Sequence, residues 1–207
     1  MDILKPLNEL RLRRKIFYSE ADFQFAFAWE VQKSYPEAKV RLEYSPKEIE
    51  PTIHIDILVV AGEEWYPIEL KYKTSSCEKV YENEVFKLKE QSAQDTGRYD
   101  YWKDVQRLET FSECLPHYKK GFAILLTNDP NYWTDSGRTN TIFDQFKILD
   151  DTTKTGRLSW ADHASQGSIK NRGGPIFLRD KYQIHWSEYS KLDNTRTGGF
   201  NYLILSH

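Results

Sequence analysis

Residues 53–73 constrain the fold more tightly than any other part of the chain. Residues 53–60 are rich in β-branched side chains, Ala61-Gly62-Glu63-Glu64 forms a polar turn, and residues 65–73 return to strand-like alternation. Strands joined by so short a loop pair antiparallel. Because side chains alternate along a strand, His54, Asp56 and Leu58 share one face of the first strand, with Ile53, Ile55, Ile57 and Val59 on the other. On the second strand Glu69 and Lys71 share a face, opposite Ile68, Leu70 and Tyr72. If Val60 stands opposite Trp65, counting back sets Asp56 opposite Glu69. A one-residue slip would destroy this alignment.

Directly opposed residues of an antiparallel pair hold their Cβ atoms roughly 4.5–5.5 Å apart. Two carboxylates that close repel, and a bound cation offsets the cost. Oxygen ligands at this spacing suit Mg²⁺ or Mn²⁺. Lys71, one step along the same face, can orient a water or meet charge developing on a phosphate. An acid-any-lysine triplet alone reads as a solvated pair. Here an aspartate also interrupts an apolar strand and faces the glutamate.

The surroundings imply a mixed α/β sheet flanked by helices. Ser19 is a candidate N-cap, with Asp22 at the capping-box position, for a well-buried helix over residues 20–33 that ends before Pro36. Residues 39–44 alternate as a strand with Val40, Leu42 and Tyr44 on one face, and Pro46 and Pro51 bracket the loop that follows. Residues 78–111 read as mostly helical, divided at Gly97 into two helices. Residues 121–127 form a buried strand closed by Asn128-Asp129-Pro130. A short helix near 140–146 and strands near 176–178, 182–186 and 202–205 complete the expectation. No repeat or low-complexity linker divides residues 1–207, which read as one domain.

Asp56 followed by Glu69-Leu70-Lys71 resembles the motif of the PD-(D/E)xK nuclease superfamily, the restriction-endonuclease-like fold. The order helix, strand, hairpin, helix, strand over residues 19–127 is similar to that family's core, leaving residues 128–207 as an elaboration. Ile55 stands where that family's motif usually has proline. The resemblance implies a nuclease hydrolysing phosphodiester bonds of nucleic acid, with DNA favoured over RNA as the expected substrate. It implies that Asp56, Glu69 and the Leu70 carbonyl bind Mg²⁺ or Mn²⁺, and that Lys71 activates or positions the attacking water. The family often adds a glutamate from the first helix. Glu20 and Glu30 compete for that role, with Glu20 favoured by its place near the helix start. A later helix often lends a polar residue, and Gln91, Gln94 and Gln106 are candidates. Asp100, Lys103, Asp104 and Arg107 share a helical face, read first as a salt-bridged surface and second as support for Lys71.

The net charge of −2 argues against a sequence-blind polyanion binder but permits local positive charge. The basic clusters Arg11, Arg13, Arg14, Lys15 and Lys170, Arg172, Arg179, Lys181 each read as solvated surface. Arg41 could meet a phosphate or pair with Glu43. His54 reads as structural, Lys73 as a strand-end charge, and His163 and His185 as isolated. The glycines around Ser168 lack the spacing of a nucleotide-binding loop. Two cysteines are too few for a disulfide framework, no apolar run reaches membrane-spanning length, and no secretory signal is evident, so a cytoplasmic home is expected. A homo-oligomer is compatible with the sequence. Two rivals stand beside the nuclease: a catalytically inactive nucleic-acid or protein-binding module of the same fold, and a metal-dependent hydrolase of a small substrate.

Overall fold

The computed structural model describes residues 1–47, 53–91, 93–167 and 169–207. Pro51 and Ser168 lie outside the described residues. Helices α1 (Leu4–Arg13) and α2 (Glu20–Ser34) precede strands β1 (Lys39–Tyr44), β2 (Ile55–Ala61) and β3 (Glu64–Lys73). The hairpin β4 (Cys77–Tyr81) and β5 (Glu84–Leu88) leads into helix α3 (Gln94–Cys114) and strand β6 (Phe122–Thr127). Strands β7 (Thr153–Leu158), β8 (Ile176–Gln183), β9 (Trp186–Lys191) and β10 (Gly199–Ser206) follow. The fold is mixed α/β, and its main sheet has six strands in the order β1-β2-β3-β6-β10-β9. Among the described strands only β3 and β6 pair parallel, and α3 supplies the crossover that parallel neighbours need.

Both faces of the sheet are covered. On one, Ile57, Val59, Ile68, Leu70 and Tyr72 pack with residues of α1 and α2, Phe23 and Phe27 among them. On the other, Leu58, Ala123 and Leu125 pack against Trp102, Val105 and Leu108 of α3 and against the β7–β8 hairpin. The β2–β3 register puts Val60 opposite Trp65, as the loop length requires. Alternation fails at one place. Ile55 and Tyr44 join the α3-side cluster rather than the side of Ile57 and Leu42. Glu43, between Leu42 and Tyr44, takes φ +49°, a left-handed conformation that twists the strand end and reverses its facing.

Ser19 caps α2 by accepting from the Asp22 N–H at 3.1 Å. The Asp22 carboxylate reaches back to the Tyr18 N–H and also pairs with Arg14. Burial of α2 is one-sided: Phe23, Phe27 and Val31 are buried, while Phe25 and Trp29 are exposed. Residues 78–88 are not helical. They form the β4–β5 hairpin, whose turn places Glu82 and Asn83 at positive φ. One helix runs through Gly97, because that glycine makes room for Tyr132: a Cβ there would meet the tyrosine hydroxyl. Helix α1 and strand β7 were not expected, and the short helix near 140–146 is a single 3₁₀ turn, Asp144–Phe146. Among the described residues no helix is long and apolar enough to cross a membrane.

Candidate functional site

The β2–β3 ladder ends with Ile57 opposite Ile68, so Asp56 and Glu69 stand one step beyond its last pair. There the strands diverge, and a side chain replaces a backbone partner. The Asp56 carboxylate accepts from the Leu70 N–H at 2.6 Å, while the Asp56 carbonyl accepts from the Gln24 side chain of α2 at 2.7 Å. Asp56 is therefore held at its carboxylate by a main-chain N–H and at its carbonyl by a side-chain amide. Glu69 is almost completely buried and points toward α3, with Lys71 on the same face.

Helix α3 meets these side chains with Asp104 and Arg107, three residues apart and so on one face. The Arg107 guanidinium lies 2.7 Å from Glu69 Oε2 and 2.6 Å from Asp104 Oδ1. Lys71 Nζ lies 2.7 Å from Asp104 Oδ2 and 3.2 Å from the Leu70 carbonyl. Three carboxylates, Asp56, Glu69 and Asp104, thus confront two cations. The other oxygen of Glu69, Oε1, is buried with no hydrogen-bond partner.

Burial first, and then that imbalance, sets the electrostatics. Burial raises the Asp56 carboxyl above its ordinary range, against the pull of Lys71 and of the Leu70 N–H. Burial raises Glu69 much further, opposed by Arg107 and reinforced by Asp104 and Asp56. For Lys71, burial works against the charge, yet Asp104, Asp56 and Glu20 outweigh it and hold the ammonium protonated. A lysine in that state cannot remove a proton from water. It can donate to a water, a phosphate oxygen or a leaving group.

Glu20 reaches the edge of this cluster. Its Oε2 accepts from the Tyr72 N–H at 2.8 Å, and its charge is felt by Lys71. Glu30 lies elsewhere, itself buried but paired with the exposed side chains of Lys33 and Arg13. None of the three glutamine candidates hydrogen-bonds to the cluster. Gln94 binds Asp129, the Gln106 amide binds the Phe177 carbonyl, and the Gln91 backbone binds the Thr74 carbonyl. His54 is exposed and hydrogen-bonded to Ser45. Four residues of the basic clusters are paired with acids: Arg14 with Asp22, Arg13 with Glu9 and Glu30, Arg172 with Asp100, and Arg179 with Glu109 and Glu113. His185 is not isolated, since Asp150 and Asp151 stand at 3.7 and 3.5 Å.

A divalent ion suits the donor chemistry: oxygen ligands, surplus negative charge, and a buried Glu69 oxygen that lacks a partner. Arg107 now sits on the neighbouring oxygen of that carboxylate, so protein cation and metal would compete for Glu69. Among the described residues, the one set of three or more potential ligand atoms all within 4.8 Å of one another is the exposed Asp150, Asp151 and His185. The acids around Lys71 are less closely gathered.

Sequence reasoning underrated Asp104 and Arg107 and missed Gln24. The three-residue spacing of the first two was visible, but an exposed helix carries the same spacing. Gln24 gives no signal without knowledge of how α2 lies on the sheet. Compared with family models, curated proteins and solved structures, the chain matches none.

Proposed function

We propose that this chain is a divalent-metal-dependent nuclease of the PD-(D/E)xK type, with a restriction-endonuclease-like core and DNA as its favoured substrate. The observation that carries this reading is the convergence of Asp56, Glu69 and Lys71 on the α3 side of one hairpin, with Glu69 Oε1 buried and unpartnered. Asp56, Glu69 and the Leu70 carbonyl would hold Mg²⁺ or Mn²⁺. Bound there, the ion would polarise the scissile phosphate and lower the pKa of a coordinated water.

The chain's own residues do the rest. Asp56 is oriented by the Leu70 N–H and through its carbonyl by Gln24. Lys71, kept protonated and held by Asp104, donates to the nucleophilic water or to a non-bridging phosphate oxygen. Arg107 balances Glu69 and Asp104 until substrate and cation arrive. Glu20 stands at the edge, where it can accept from a further water.

One observation favours the rival module. The Glu69–Arg107 pair and the Lys71–Asp104 pair already satisfy much of the site's charge without metal. Cleavage assays separate the readings. Plasmid DNA, linear DNA and RNA are incubated with the full chain and Mg²⁺ or Mn²⁺, beside Asp56→Asn and Lys71→Met. Metal-dependent cleavage lost in both variants supports the nuclease. Cleavage that survives in both removes this mechanism, and no cleavage of any substrate with either metal favours the module.

A further inference from the structure

A polar cavity opens at the start of α3, between the first turns of the helix and the loop that follows β6. It has a volume of about 380 Å³. Sites for small molecules fall in the range of roughly 300–1,000 Å³, so this space is large enough for one. Its wall holds four cations, Arg98, Arg138, Lys147 and Arg196, and a single acid, Asp135. None of Asp56, Glu69 or Lys71 lines it.

Arg98 distinguishes the cavity from an ordinary basic surface. The residue is only 3% exposed. Its Nη2 donates to the Asn131 carbonyl at 2.6 Å, but Nε and Nη1 are buried with no partner. Among the described residues no carboxylate forms an ion pair with it. The guanidinium lies instead against two rings, 5.2 Å from the centroid of Tyr132 and 4.9 Å from that of Phe143. Aromatic faces offset part of the cost of burying a cation. They do not supply the hydrogen-bond acceptors that a buried guanidinium otherwise finds.

The neighbouring cations are only partly neutralised. Lys147 pairs with Asp144 at 2.8 Å, which removes one charge. Arg196 donates to the Asn131 side-chain oxygen at 2.8 Å, a neutral partner. Arg138 is exposed and has no ion pair among the described residues. Asp129 and Asp95 act on Arg98 from a distance, but neither forms an ion pair with it. The lining itself thus sets four cations against Asp135, around a fixed, desolvated guanidinium. Planar guanidinium forks match the tetrahedral oxygens of phosphate bidentately, which makes phosphate a better fit than a halide or a lone carboxylate.

We propose that this cavity binds the phosphoryl group of a small phosphorylated ligand of mononucleotide size. Arg98 is the fixed charge in its wall, and Arg138 and Arg196 close on the phosphate oxygens at its mouth. The site is independent of the nuclease reading. It needs no divalent metal, and it stands or falls whether or not the chain cuts nucleic acid.

The test is calorimetric titration of the full chain in EDTA at low salt. The probes are each of the four common 5′-ribonucleoside monophosphates, the four matching nucleosides, and inorganic phosphate. At least one monophosphate is expected to bind, with its nucleoside at least tenfold weaker. The double variant Arg138→Ala/Arg196→Ala, both residues exposed, is expected to lose at least tenfold in affinity while melting like the parent. Arg98→Met is expected to lose binding too, and because it can also disturb the fold, the double variant carries the decision. Inorganic phosphate matching the best monophosphate would support the site with the free anion as its ligand. No binding by any monophosphate or by phosphate, or unchanged affinity in the double variant, would overturn the proposal.

Discussion

Replacing Arg107 with methionine keeps an unbranched apolar stem and removes the guanidinium and its charge. Glu69, almost fully buried, and Asp104 both lose the guanidinium that now stands 2.7 and 2.6 Å away. Breaking a buried ion pair by deleting one partner costs about 3–5 kcal/mol. The Arg107 side chain is 29% exposed, and solvent screening reduces that figure to about 2–3 kcal/mol. At about 2–4 °C per kcal/mol for a chain of this size, the melting temperature should fall by about 5–10 °C at pH 8. The deficit depends on pH, with a definite sign. Burial already holds the folded Glu69 carboxyl above its ordinary range, and Arg107 is the leading influence pulling it back. Without Arg107 the carboxyl rises further. A carboxyl raised on folding costs nothing while protonated in both states, and the penalty grows as pH climbs past its unfolded value of about 4.3. Arg107→Met should therefore approach the parent near pH 4 and fall away from it toward pH 8. Mg²⁺ should restore more stability to the variant than to the parent, since a ligand at a hundred times its Kd contributes about 2.7 kcal/mol. Differential scanning fluorimetry across pH, with and without Mg²⁺, reads all of this. A deficit equal at pH 4.5 and pH 8, or one indifferent to Mg²⁺, would refute the account of Arg107 as a counter-ion that metal can replace.

Other perturbations test neighbouring parts of the structure. Lys71→Met should lower cleavage at least ~100-fold, the lower bound for losing a positioned proton donor, with circular dichroism unchanged. Gly97→Ala should cost about 1–3 kcal/mol in a urea denaturation, because the added Cβ collides with the Tyr132 hydroxyl. Glu109 is buried and accepts from the Arg179 N–H at 3.0 Å and the Tyr182 hydroxyl at 2.8 Å, so Glu109→Gln should cost about 1.5–3 kcal/mol in the same assay.

The hairpin was legible in the sequence because two independent signals agreed there. Alternation set the faces and the short turn set the register, and the pairing of Val60 with Trp65 follows from both. The same alternation misled at Tyr44 and Ile55, since nothing in the sequence marks Glu43 as left-handed. Gly97 was misread because a glycine in a helix signals either a break or a close approach, and only the position of Tyr132 decides. Residues 78–88 looked helical from their charge. The turn at Glu82 and Asn83 makes them a hairpin instead, with Phe86 and Leu88 buried and Val80 and Val85 exposed. Asp104 and Arg107 were visible as a pair but not as neighbours of Glu69 and Lys71, because that contact belongs to the docking of α3 on the sheet. The Arg98 cavity had no sequence signature. Its walls come from α3, the loop after β6 and the segment before β10, brought together only by the fold.

The claim that Asp56 and Glu69 form a divalent-metal site is tested most directly by titrating Mn²⁺ into the full chain and following binding by calorimetry. Asp56→Asn, Glu69→Gln and Lys71→Met are titrated alongside. Both carboxylate variants should lose most of the binding. Lys71→Met should keep or strengthen it, since removing the ammonium leaves the carboxylates in greater surplus. Binding unchanged in Asp56→Asn and Glu69→Gln, or no Mn²⁺ binding in the parent, would contradict the account.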